Sequence, residues 1–226
     1  MPLSHLGHSL LEEGRVSEAE LALRLAEQSF GEYDVRVGVA TCALARIKAA
    51  PGEVDEFVSL YHKGLQIMEG CSKFADKEPT MEAVRSDLAE LLNLLERSEE
   101  AQELWEENLR VKERIVGSDE PQLVVHLQNL AKSFAASGKY DKCEPLPQHS
   151  LKLVTSTLGP NSPQLSIPLE CLATTLHHLD QDDEAEPLAC QALKLRECSF
   201  GSNSATVGEV CNCLASIGFN TFTGKE

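Results

Sequence analysis

A few residues in this sequence have types and spacings that could do chemistry. His5 and His8 stand three apart. On a helix their imidazoles would share one face, the arrangement that can hold a metal ion. The same pair also reads as surface polar residues near a chain terminus, and that reading is preferred. His177 and His178 are adjacent. Eight cysteines are present (Cys42, Cys71, Cys143, Cys171, Cys190, Cys198, Cys211 and Cys213) without a CxxC pair or a zinc spacing. Cys211-x-Cys213 on a helix sends its thiols to different sides. The cysteines read as reduced thiols, mostly small core residues, in a cytoplasmic, reducing compartment; import into an organelle behind a removed transit peptide would be invisible. HExxH, GxSxG and EF-hand patterns are missing, and no glycine-rich phosphate loop follows a strand. The acidic side chains are scattered over what read as solvated helix faces. The expectation is a protein that is not an enzyme, with no catalytic residues, metal or cofactor.

Charge narrows the partners. The formal net charge is −16, with acidic residues in both halves. A field of this sign repels nucleic-acid phosphates and anionic lipid. No apolar run approaches the length of a membrane span, and "MPLSHLGHSLLEEG" lacks the basic start and apolar core of a signal peptide. Hydrophobic residues at 42% with aromatics at only 5% suit packed helices better than sheets.

The elements that must position these residues repeat. Leu130-Ala131 recurs 42 residues later as Leu172-Ala173, and again as Leu214-Ala215. Backward, it appears as Leu88-Ala89, Leu44-Ala45 and Leu6-Gly7. Gly117, Gly159 and Gly201 follow the same 42-residue step. Between them, "EEGRVSEAE", "KAAPGEVDE", "ASGKYDKCE" and "LDQDDEAEP" each break one helix and begin another. Gly14, Gly52 and Gly138, seven residues past their anchors, suit a helix end that needs a left-handed residue. The predicted unit is helix A, tight turn, helix B, loop. In the best-preserved copy, helix A runs from Pro121 to Ala136 and helix B from Tyr140 to Thr157, irregular around Pro145 and Pro147. The small residue after each anchor leucine lets helix A approach helix B. Ala19, Ala101, Cys143 and Ala185, twelve residues on, are small again.

These markers resemble the tetratricopeptide repeat (TPR) over essentially the whole chain. The period, with "LQNLA…GKYDKCEPL" and "EAEPLACQALKLRE", is similar to the kinesin-light-chain subtype. The resemblance implies an all-α, right-handed superhelical solenoid of TPR helical hairpins. It is read as a single array over 1–226, with units near 1–30, 31–74, 75–116, 117–158, 159–200 and a partial 201–226. A two-residue insertion is placed near Gly70 to Asp76. Thr41 and Arg85 depart from the family pattern, which is apolar at that repeat position.

The resemblance also implies a concave wall built mainly from helix A. Carrying repeat positions over gives Val125, Gln128, Lys132, Ala135 and Ala136 in one unit. The next gives Ile167, Glu170, Thr174, His177 and His178. The unit before 117 gives Ala83, Ser86, Glu90, Asn93 and Leu94, and the last gives Glu209, Asn212, Ser216, Phe219 and Asn220. From these and Asn129, next to Gln128 and less constrained by packing, the candidate partner-binding residues are Asn93, Gln128, Asn129, Lys132, Glu170, Thr174, His177, His178 and Asn212. Amides suit peptide recognition because each offers a donor and an acceptor. A clamp for a C-terminal carboxylate needs Lys and Arg on helix A. Only Lys132 is placed for one, while Glu90, Glu170 and Glu209 have the wrong sign. The expected function is a scaffold, adaptor or assembly factor that binds a basic or neutral segment of another protein in the groove. The alternatives are a structural subunit docked permanently in a larger complex, a cargo adaptor of the kinesin-light-chain kind, and an enzyme or an enzyme's regulatory subunit. An exposed Trp105 would favour the docked subunit; a buried one would be core.

Overall fold

The computed structural model describes the backbone of residues 3–48, 54–71, 79–201 and 204–223. Side chains are described within these except at 3–15, 46–48, 54, 57 and 219–223. Every regular element among the described residues is helical. The chain divides into two compact units, Met1–Glu90 and Leu91–Glu226.

In the first unit α1 spans Leu3–Phe30, α2 Val35–Lys48 and α3 Val54–Gly70, and α4 begins at Pro79. The expected turn at Gly14 does not form: α1 runs through it as one helix. Glycine inside a helix costs only about 1 kcal/mol against alanine, and "EEGRVSEAE" has no proline to block the backbone ladder. The 1–30 unit is therefore one long helix rather than a hairpin. The turn expected at Gly52 and the insertion expected near Gly70 to Asp76 fall wholly or mostly outside the described residues. α2 and α3 form a hairpin around Val37, Cys42, Leu44, Ala45, Val58, Tyr61, Leu65 and Met68, all buried. The hairpin is close enough for backbone to touch backbone. A methyl group added at Gly38 would lie 2.8 Å from the Gly64 carbonyl and 2.6 Å from Met68 Cγ.

The two departures from apolar character in this unit are buried all the same. Thr41 turns its hydroxyl back onto the Val37 carbonyl (2.8 Å), so it costs no unpaired group. Arg85, on α4 (Pro79–Leu94), is buried with its guanidinium on Glu69 of α3 (3.3 Å).

In the second unit the hairpins follow the repeat. They are α6 (Val124–Ala136) with α7 (Tyr140–Cys143) and α8 (Pro145–Leu158), and α9 (Ser166–His178) with α10 (Asp182–Phe200); α5 (Ser98–Val116) precedes them. α11 follows over Ala205–Thr223. Short 3-10 turns at Pro121–Leu123 and Pro163–Leu165 lead into α6 and α9. Proline suits these first turns because its missing N–H would have had no partner there. The irregularity expected at Pro145 is present: Tyr140 to Leu158 is divided at Glu144. Pro187 instead lies within an unbroken α10.

The three described turns at Glu96, Gly138 and Asp180 close the same way. Lys139 N donates to Phe134 O (2.9 Å) around Gly138, whose φ of +70° is the left-handed conformation expected of it. Forty-two residues to either side, Glu96 (φ +60°) and Asp180 (φ +59°) adopt that conformation without being glycine. There Arg97 N reaches Leu92 O (2.8 Å) and Gln181 N reaches Leu176 O (2.9 Å).

In the second unit the small pairs meet as expected: Cys143 reaches the Ala131 carbonyl, and Ala173 and Ala185 share one core cluster. Ala101 and Ala89 are buried too. Ala215 on α11 carries the same repeat position but is exposed. Layers of core lie between them: Leu123, Leu127 and Leu153; then Val154, Leu165, Leu169, Ala192 and Val210; then Leu172, Leu176, Ala189 and Ile217. Trp105 on α5 is buried and is a core residue. The surface marker of a docked subunit is therefore absent at that position.

Candidate functional site

All nine candidate residues lie in the second unit, on α4, α6, α9 and α11. Helix A periodicity puts side chains three and four apart on one stripe, so Val125, Gln128, Asn129 and Lys132 run along α6. On α9 the corresponding stripe is Ile167, Glu170, Cys171 and Thr174. Val125 is 61% exposed and Ile167 44%, one repeat step apart. Gln128 and Asn129 are half-buried, while Lys132 and Asn212 are exposed. Leu94, at the end of α4, is 81% exposed. The wall thus alternates aliphatic and amide or charged groups.

Five of the candidates already have protein partners. Asn93 Oδ1 accepts a hydrogen bond from Ser133 Oγ (2.9 Å). Glu170 takes the Arg196 guanidinium at 2.5 Å, and the same guanidinium reaches Glu209 at 3.2 Å. Arg196 also donates to the Thr206 carbonyl. Burial pushes the Glu170 carboxyl above its ordinary value; Arg196 opposes that shift, and Glu209 adds to it. His177 Nδ1 lies 2.6 Å from Asp182 Oδ1, and the His178 ring stacks on Tyr140 with centroids 4.2 Å apart. Thr174 Oγ1 sits 3.4 Å from Cys213 Sγ.

The reading from sequence missed Arg196. Its repeat position gave no clear signal: one step earlier it is the buried Val154, and a further step back Lys112. Arg196 is not a free cation for a ligand carboxylate, because two carboxylates of the chain hold it. Among the described residues no group of three or more His, Cys, Asp or Glu is placed to hold a metal ion, and His5 and His8 lie outside the described side chains. Among the described residues no helix is long and apolar enough to cross a membrane.

A sequence model described as tetratricopeptide repeat matches residues 80–142 and 124–197, together more than half of the chain. The chain belongs to the tetratricopeptide repeat family. Its fold matches that of solved repeat proteins. One is a crystal structure of kinesin light chain nearly identical TPR-like repeats from Podosopora anserina. The sequences are 21% identical, with 87% of this chain and 94% of that one covered at a TM-score of 0.68. Another is BtubC (BKLC) from P. vanneervenii, 19% identical, with 94% of this chain and 84% of that one covered at a TM-score of 0.68. No curated protein matches the sequence. The fold class expected from the sequence is that of these structures. Repeats of this family form protein-interaction scaffolds, and the general function follows from that.

Proposed function

We propose that this tetratricopeptide protein binds a segment of another protein along the helix A wall of its second unit, as a non-catalytic adaptor or assembly factor. The observation that carries the reading is the exposed aliphatic pair Val125 and Ile167, one repeat step apart. Beside it run Gln128, Asn129, Lys132 and Thr174. An extended segment could seat apolar side chains on the pair while its backbone meets the amides. The net charge of −16 and the carboxylates of Glu170 and Glu209 support a segment that is neutral or basic. The cysteine usage supports a reducing compartment, the cytoplasm.

The test is affinity capture from cells with the full chain, repeated with two variants. The wall variant combines Val125→Glu, Ile167→Glu and Asn129→Ala. The control changes Lys152→Glu and Lys194→Glu on helices B. Loss of the main partner with the wall variant alone supports the reading. Loss with the control alone refutes it and points to a docked structural subunit.

A further inference from the structure

The helices α6, α9 and α11 of the second unit lie side by side, with α9 against both of its neighbours. Val125, Ile167 and Glu209 occupy one repeat position on them, 42 residues apart. All three face solvent, and the Glu209 side chain is 65% exposed. They form a row that crosses the helices, two aliphatic rungs and then a carboxylate. Helices in direct contact have axes about 8–10 Å apart, and that distance sets the rung spacing.

The spacing selects the backbone of a bound segment. In a β-strand the side chains of one face recur at about 6.6 Å and about 13 Å, and neither fits. A polyproline-II segment rises about 3.1 Å per residue with three residues per turn, so every third side chain meets the wall at a spacing of about 9.3 Å. An α-helix comes near with residues seven apart, at about 10.5 Å, but it satisfies its own backbone. The wall offers polar groups for a backbone that does not. Among the described residues the side-chain amides of Gln128, Asn129 and Asn212 have no hydrogen-bond partner. A polyproline-II backbone has no internal hydrogen bonds and leaves its carbonyls open to them. Charge orders the rungs. Glu170 and Glu209, two carboxylates, share the one guanidinium of Arg196, which leaves one negative charge at the α9–α11 end. The exposed Lys132 stands at the α6 end.

We propose that the wall takes a proline-rich, polyproline-II segment of the form aliphatic-x-x-aliphatic-x-x-basic. Its two aliphatic side chains seat on Val125 and Ile167, and its basic residue reaches Glu209. The inference rests on the helix A wall being the binding surface. It narrows the partner from any neutral or basic segment to one with a three-residue apolar period and a cation at the third rung.

The experiment titrates the full chain into a fluorescently labelled peptide, RPPLPPLPPR, and follows anisotropy. This peptide carries the pattern in both chain directions. RPPPLPLPPR has the same composition with its leucines two apart, and EPPLPPLPPE reverses the charge. The expected result is saturable binding of the first peptide, about tenfold tighter than either of the others. Val125→Ser and Ile167→Ser, both at exposed positions, are each expected to weaken it by about tenfold, with thermal melts confirming that the variants fold. Glu209→Gln is expected to weaken it and to flatten its dependence on salt. The proposal is overturned if RPPPLPLPPR binds as tightly, if the two serine variants bind unchanged, or if RPPLPPLPPR shows no saturable binding up to about 1 mM. Failure of the peptide while the wall variant still loses its cellular partner overturns this inference and leaves the wall reading standing. Retention of that partner by the wall variant overturns the wall reading itself.

Discussion

The α2–α3 hairpin of the first unit and the α6–α8 hairpin of the second cross at the same place in the repeat, but by different means. At the position twenty residues past the anchor leucine, the first has Gly64 and the second Ser150. In the first hairpin the backbones touch, and no room is left for a single carbon. In the second a buried hydroxyl fits, with no hydrogen-bond partner for its oxygen. The repeat dictates where helix A meets helix B, while the side chains at that place set how near they come. Buried arginine differs between the units in the same way. Among the described residues Arg85 pairs with the mostly exposed carboxylate of Glu69, whereas Arg196 has Glu170, Glu209 and a backbone carbonyl.

The largest expected effect is at Arg196. Its truncation to alanine leaves Glu170 half-buried without its cation and should cost about 4 kcal/mol in chemical denaturation. Arg85→Ala should cost about half as much, since Glu69 returns to water. Equal losses would show that the two sites do not differ. Next comes Gly64→Ala. Its new carbon would run into Cys42 Sγ and stand 2.8 Å from the Gly38 carbonyl, an overpacking cost of about 2–3 kcal/mol. The matched change Ser150→Ala should move the other way, raising stability by up to about 1 kcal/mol as an unpaired buried hydroxyl is lost. A destabilised Ser150→Ala would break the comparison.

Smaller still are the turns. Asp180→Gly and Glu96→Gly place glycine where φ is positive, and each should gain about 0.5–1 kcal/mol. Gly138→Ala should lose about 1 kcal/mol at the equivalent site. Thermal melts of the three variants check the set. The smallest effect concerns acidity. The folded pKa of Glu170 is raised above the ordinary 4.5, so the folded state takes up its proton before the unfolded state does. Its contribution to stability is fully present below about pH 4.5 and is lost as pH rises through the folded value. A stability–pH profile should show this slope in the wild type and lose it in Glu170→Gln.

The fold was legible because packing repeats. Leu130-Ala131 and its copies mark helix crossings, and a crossing tolerates few side chains. Turns were less legible. Gly138 was readable from its residue type, but Glu96 and Asp180 reach the same conformation because the Schellman-type hydrogen bonds outweigh the backbone cost. Gly14 misled for the reverse reason: a glycine permits a turn without requiring one. The candidate wall was legible only as positions. Sequence spacing places Glu170 and His177 on helix A. It does not reveal that Arg196, twenty-six residues on, and Asp182, across the turn, already hold them.

Arg196 has one more consequence. It grips α9, α10 and α11 at one point, through Glu170, its own helix, and Glu209 with Thr206. In a linear stack, opening energies generally vary from one element to the next. Here α11 cannot detach without breaking the Arg196 bonds to Glu209 and to the Thr206 carbonyl. The slowest-exchanging amides of α9, α10 and α11 should therefore share one opening free energy, so that this stretch of the stack comes apart as a block.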